Sequence, residues 1–172
     1  CEFKFIMSPV CFFSRFFLFL QETVRRDQCA LTQKVLRNCL LSLFNSGVDA
    51  VKAYLFRQWQ RILSRKVPIS DFIITGRVRS RYRGGEIGPV QAALHARLKE
   101  TDPGRVMRHG ERLAYVIVAT PGGRNAKLRD GVKTPMELLE QWDAFVVNSA
   151  YYITKHVNPA LQRCLGLVPN NI

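Results

Sequence analysis

The chain has 172 residues, 47% of them hydrophobic and 23% charged, which excludes a disordered tail and suffices for one domain with its own core. Lys and Arg number 26 against 13 Asp and Glu, a formal net charge of +13. That excess points to a polyanionic partner, nucleic acid before an anionic membrane surface. The five cysteines, Cys1, Cys11, Cys29, Cys39 and Cys164, are odd in number and lack C-x-x-C spacing. They argue against a zinc site or a disulfide scaffold and fit a reducing compartment.

Residues 1–20 are crowded with Phe and Leu, but Glu2, Lys4 and Arg15 interrupt the run and Pro9 breaks a helix. No small-residue cleavage site follows the stretch that starts at Met7. Residues 1–21 read as an atypical apolar segment foreign to the rest, of the kind a retained intron or gene-model error leaves. A membrane anchor over 7–20 and a buried strand are the competing readings. The start at Cys rather than Met suits a fragment.

The remainder, 22–172, reads as one domain. The spacing of Leu31, Val35, Cys39 and Leu43 beside Leu36, Leu40 and Phe44 predicts a helix over 28–45, ended by Asn45-Ser46-Gly47. A second helix over 48–65 turns Val51, Tyr54, Leu55, Trp59, Ile62 and Leu63 inward and Lys52, Arg57, Arg61 and Arg65 outward. A short connection lets the two pack antiparallel. Phe72-Ile73-Ile74 opens a strand, a helix covers about 90–99, and Asp102-Pro103-Gly104 is a turn. Residues 113–120 are a strand closed by Pro121-Gly122-Gly123. Thr134, Pro135 and Glu137 form a capping box with proline at the first helical position. A last helix runs from about Ser149 to Leu165, capped by Asn148, and Pro159 kinks or splits it. The expected class is α+β, mostly helical, with a small antiparallel strand element.

Residues 77–83 read Arg-Val-Arg-Ser-Arg-Tyr-Arg. In an extended chain Arg77, Arg79, Arg81 and Arg83 share one face, about 6–7 Å apart, close to the phosphate repeat along a nucleic-acid strand. Guanidinium forks suit phosphate. The bland alternative is a solvated basic loop, helped by Gly84-Gly85. Only Tyr82 is aromatic there, which disfavours base stacking and favours sequence-independent backbone binding.

Catalytic constellations are missing. Two-metal chemistry needs clustered carboxylates, and the acidic residues are scattered. Glu137 and Glu140 read as a solvated helix face. His95, His109 and His156 lie far apart and read as structural, Cys29 and Cys39 as core residues, and nothing marks a nucleophile. Catalytic and metal-ligand sites are therefore expected to be none.

From Glu22 onward the chain resembles the thumb region of family B DNA polymerases of the zeta type. Four stretches carry the likeness: Glu22-Thr23-Val24-Arg25-Arg26-Asp27; Arg57-Gln58-Trp59-Gln60-Arg61-Ile62-Leu63 with Asp71-Phe72; Gly110-Glu111-Arg112-Leu113-Ala114-Tyr115-Val116-Ile117; and Tyr151-Tyr152-Ile153-Thr154-Lys155 with Pro159-Ala160-Leu161-Gln162-Arg163. The resemblance implies a thumb that holds primer–template duplex by backbone contacts in translesion synthesis, in the nucleus. It implies Arg25, Arg26, Arg77, Arg79, Arg81 and Arg83 as DNA-binding residues, with pairing to Asp27 and other carboxylates as the equal alternative for Arg25 and Arg26. It implies Mg2+ at palm aspartates and an iron–sulfur or zinc module, all outside this stretch, and as partners an upstream palm and accessory subunits. The nucleotidyltransferase activity is then the whole enzyme's. Two positions depart from the pattern: Gly76 stands where a Lys is usual, and Ala114 replaces a Pro. A free-standing basic nucleic-acid-binding module without catalysis is the alternative function.

Overall fold

The structure, a computed structural model, describes residues 21–79, 89–102, 104, 107–120, 128–141 and 144–165. The apolar segment 1–20, Arg81, Arg83 and the Pro121-Gly122-Gly123 turn lie outside these. Helix α1 (Ala30–Leu63) is 34 residues long and breaks at Gly47, whose φ of 79° favours glycine. Asn38 Nδ2 donates to Tyr54 Oη at 3.0 Å, 16 residues away. A straight helix would hold those residues about 24 Å apart. The two arms, 30–46 and 48–63, therefore fold back on each other at the predicted stop.

The inward stripe of the first arm holds for Leu31, Val35, Leu36, Cys39 and Leu40, all buried. It fails at Phe44, which is 48% exposed close to the Gly47 turn, where the hairpin ends. Leu63 also departs from expectation and stands exposed at the arm's end, because Ile62 takes the core position beside it. The arm ends two residues earlier than the predicted 65. Lys66 N–H donates to Arg61 O and Arg65 N–H to Ile62 O, with Arg65 in the left-handed region at φ 58°. These two bonds are the reverse-turn cap that normally carries glycine.

A 3-10 turn, Ile69–Phe72, precedes strand β1 (Ile74–Arg77), so Phe72 belongs to the turn and not to the strand. Lys34 Nζ reaches both oxygens of buried Asp71 at 2.6 and 2.8 Å and ties the turn to α1. Helix α2 (Val90–Thr101), strand β2 (Arg112–Ile117) and strand β3 (Val132–Lys133) follow. The sheet is antiparallel in the order β1-β2-β3, with Ile74 opposite Tyr115 and Arg77 opposite Arg112. Beyond β2, Val118 makes only a single bridge to Val147.

Helix α3 (Pro135–Glu140) starts with the predicted capping box in full, and Arg97 of α2 binds both oxygens of Glu137 at 2.9 Å. The last predicted helix is three pieces: α4 (Ser149–Tyr152), capped by Asn148, a π turn at Ile153–Val157, and α5 (Asn158–Leu165). Pro159 has no N–H and its ring crowds the carbonyl four residues back, so the chain widens by one residue just ahead of it. Asn158 N–H accordingly donates to Ile153 O.

Tyr152 joins these layers. Its ring is fully buried and meets Phe72 edge-on at 4.9 Å. Its hydroxyl donates to Phe72 O at 2.7 Å and accepts from Ile117 N–H at 3.0 Å. Extending the Ile74–Tyr115 register by two residues puts Phe72 opposite Ile117. The hydroxyl thus splices a gap where the β1–β2 ladder has parted.

Candidate nucleic-acid interface

Strand alternation sorts β1 cleanly. Ile74 and Val78 are buried, whereas Arg77 and Arg79 are exposed on the other face. Register adds a residue that the local sequence pattern did not single out. Arg112 faces Arg77 across the strands. Like charges directly opposite destabilise a sheet pair. Only the pairing reveals this, since the two lie 35 positions apart in sequence (112 less 77).

Arg112 is held by neutral oxygens. Its Nη2 donates to Arg26 O and Thr75 O, both at 2.8 Å, and its Nε to Thr75 Oγ1 at 3.1 Å. Thr75 Oγ1 itself donates to Arg26 O at 3.2 Å. The exposed Arg26 thereby has its backbone fastened to the arginine face. Gly76 lies on the opposite face, where an added Cβ would come within 2.9 Å of the Gln91 side chain of α2. A lysine there would point toward α2, so Arg77 and Arg79 do not stand in for it.

Arg25 is engaged otherwise. Its Nε and Nη2 bind the Asp27 carboxylate, and its Nη1 reaches Glu22 at 3.0 Å. Glu22 also accepts from Arg163 of α5 at 3.0 Å and from Gln28 at 2.9 Å. Burial pushes the Glu22 carboxyl up, but hydrogen bonds from Arg163 and Arg25 outweigh it and leave the group below its ordinary value. The hydrogen bonds from Arg25 likewise lower Asp27. The 22–27 segment is thus stitched to α5 through carboxylates and to the sheet through Arg112.

The remaining titratable groups are packed. Burial pushes the Cys39 thiol up to about 12 and Cys164 to about 11. His156 lies in the rings of Tyr151 and Tyr152, 5.4 and 5.6 Å away, and burial lowers its pKa. Among the described residues no group of three or more His, Cys, Asp and Glu converges on a point. No helix among them is long and apolar enough to cross a membrane.

The comparisons agree with this architecture. A family model described as DNA polymerase family B matches residues 21–168. The DNA polymerase zeta catalytic subunit of Arabidopsis thaliana is 39% identical over 151 residues, covering 86% of this chain and 8% of that protein. The Drosophila melanogaster zeta catalytic subunit is 35% identical over 154 residues, covering 88% of this chain and 7% of that protein. The chain spans less than a tenth of the length of these curated relatives. The solved structure of the family B DNA polymerase from the archaeon Pyrobaculum calidifontis shares the fold, with a TM-score of 0.62 and 24% identity over 85% of this chain and 19% of that one. This chain belongs to DNA polymerase family B.

Proposed function

We propose that residues 22–172 form the thumb portion of a zeta-type DNA polymerase and grip primer–template duplex through its phosphates. The observation that carries the reading is the exposed arginine face of β1 and β2. Arg77 stands opposite Arg112, Arg79 continues the row, and Arg26 is fastened beside it. A face built this way gains stability when phosphates neutralise it, and it positions duplex without reading sequence. Arg81 and Arg83 extend the same row in sequence. Arg25, bound to two carboxylates, serves the segment's geometry and not the DNA.

Nucleotidyl transfer, Mg2+ at carboxylates elsewhere, a zinc or iron–sulfur module, accessory subunits, translesion synthesis and action in the nucleus belong to this reading as properties of the whole polymerase. The test is fluorescence anisotropy with a labelled primer–template duplex over a salt series. Arg77→Ala and Arg79→Ala each lower the slope of log affinity against log salt by about 1, with no change in sequence preference. Unchanged slopes in both remove this face from the interface.

A further inference from the structure

The second arm of α1 carries a separate line of charge. From residue 50 to residue 70 the chain has Lys52, Arg57, Arg61, Arg65 and Lys66 and no Asp or Glu. Lys52 meets Asp49 at 3.7 Å. Arg57, Arg61, Arg65 and Lys66 are exposed, and among the described residues no carboxylate pairs with any of them. Arg57 and Arg61 lie one turn apart on the helix, about 6 Å along its axis, and Arg65 follows in the cap just past Leu63.

Two further observations set this line apart from a merely solvated face. Phe56, adjoining Arg57, is 65% exposed, and Leu63 on the same side of the helix is 60% exposed. Arg65 occupies the left-handed cap position at φ 58°, where glycine is the ordinary residue. A non-glycine residue there costs about 1–2 kcal/mol. A cation held in that strained conformation points to a use for the charge.

An acidic protein surface would answer the cations but leaves the exposed aromatic ring unexplained. A duplex presents phosphates but keeps the faces of its bases stacked. A single strand offers both phosphates and open base faces. We propose that the arm binds single-stranded nucleic acid, with Phe56 stacking on a base and Arg57, Arg61 and Arg65 on successive phosphates. A single strand held there is a ligand distinct from the duplex assigned to the β1–β2 face.

The test uses the full chain and a fluorescent oligothymidine of about twenty nucleotides, with the primer–template duplex in parallel. Phe56→Ala weakens oligothymidine binding by about tenfold or more, and Arg57→Gln with Arg61→Gln lowers its salt slope by about 1.4, from about 0.7 per phosphate. Both variants leave duplex affinity within about twofold, whereas Arg77→Ala does the reverse. All of these side chains are exposed, and a circular-dichroism melt confirms that the variants fold. The proposal is overturned if Phe56→Ala and the double variant bind oligothymidine like the wild type. It is also overturned if they lose duplex equally, or if polyglutamate displaces the strand and Phe56→Ala is neutral. Failure of Arg77→Ala on duplex alone counts against the thumb grip and leaves the arm's assignment standing.

Discussion

Removing one oxygen from Tyr152 tests how the layers are joined. Tyr152→Phe keeps the buried ring and its edge contact with Phe72, but strips the hydroxyl that links Phe72 O to Ile117 N–H. Both backbone groups then sit unpaired in a site with no solvent access around Tyr152. Each orphaned buried group costs about 1–3 kcal/mol, partly offset because the hydroxyl no longer needs desolvation. The net loss is about 2–3 kcal/mol. For a domain of this size that lowers Tm by roughly 5–12 °C. Thermal melting by circular dichroism reads the shift, with Tyr151→Phe as the control. The Tyr151 ring is half-buried and the change there costs under about 0.5 kcal/mol. If Tyr152→Phe melts within about 2 °C of the wild type, the hydroxyl does not splice the ladder, and the layers are joined by packing alone.

Three other outcomes follow from the geometry. Gly131→Ala places a Cβ 2.5 Å from Val118 O, which β3 relieves only by loosening the Val118 N–H bond to Gly131 O; urea unfolding shows a loss of about 1–3 kcal/mol. Arg65→Gly relieves the left-handed cap and raises stability by about 1 kcal/mol in the same assay, while weakening oligothymidine binding. Stability falls with acid in two windows. The folded His156 pKa is depressed, so below the ordinary value of 6.5 the unfolded chain takes the proton first and stability declines. Glu22 and Asp27 are also depressed, so their contribution is present above about 4.5 and 3.8 and is lost as pH falls through their folded values. Melts across pH show both steps, and Arg163→Gln shrinks the lower one.

Local chemistry made much of the fold legible. The Gly47 break, the Thr134 capping box and the Asn148 cap each depend on residues within a few positions of one another, and each stands as expected. Inward and outward faces of α1 were legible in its middle and failed at Phe44 and Leu63, near the ends of the two arms, because periodicity does not say how deeply each end of a helix is packed. The π turn escaped notice since proline rules say that a helix must yield, not how. On the candidate face, alternation alone put Arg77 and Arg79 on one side of the strand. Arg112 was not, because its place opposite Arg77 depends on a register formed between distant strands. The Glu22–Arg163 pairing was hidden for the same reason.

That pairing spans 141 positions. During synthesis at about 5–20 residues per second, Glu22 leaves the ribosome roughly 7–30 s before its α5 partner exists. Arg25 is available at once and can close its local bonds to Glu22 and Asp27 in that interval. Arg112 arrives next and fastens the Arg26 carbonyl, and Arg163 comes last. The 22–27 segment, made before both Arg112 and Arg163, is therefore fully locked only when the later of them arrives, so its assembly waits on residues made long after it.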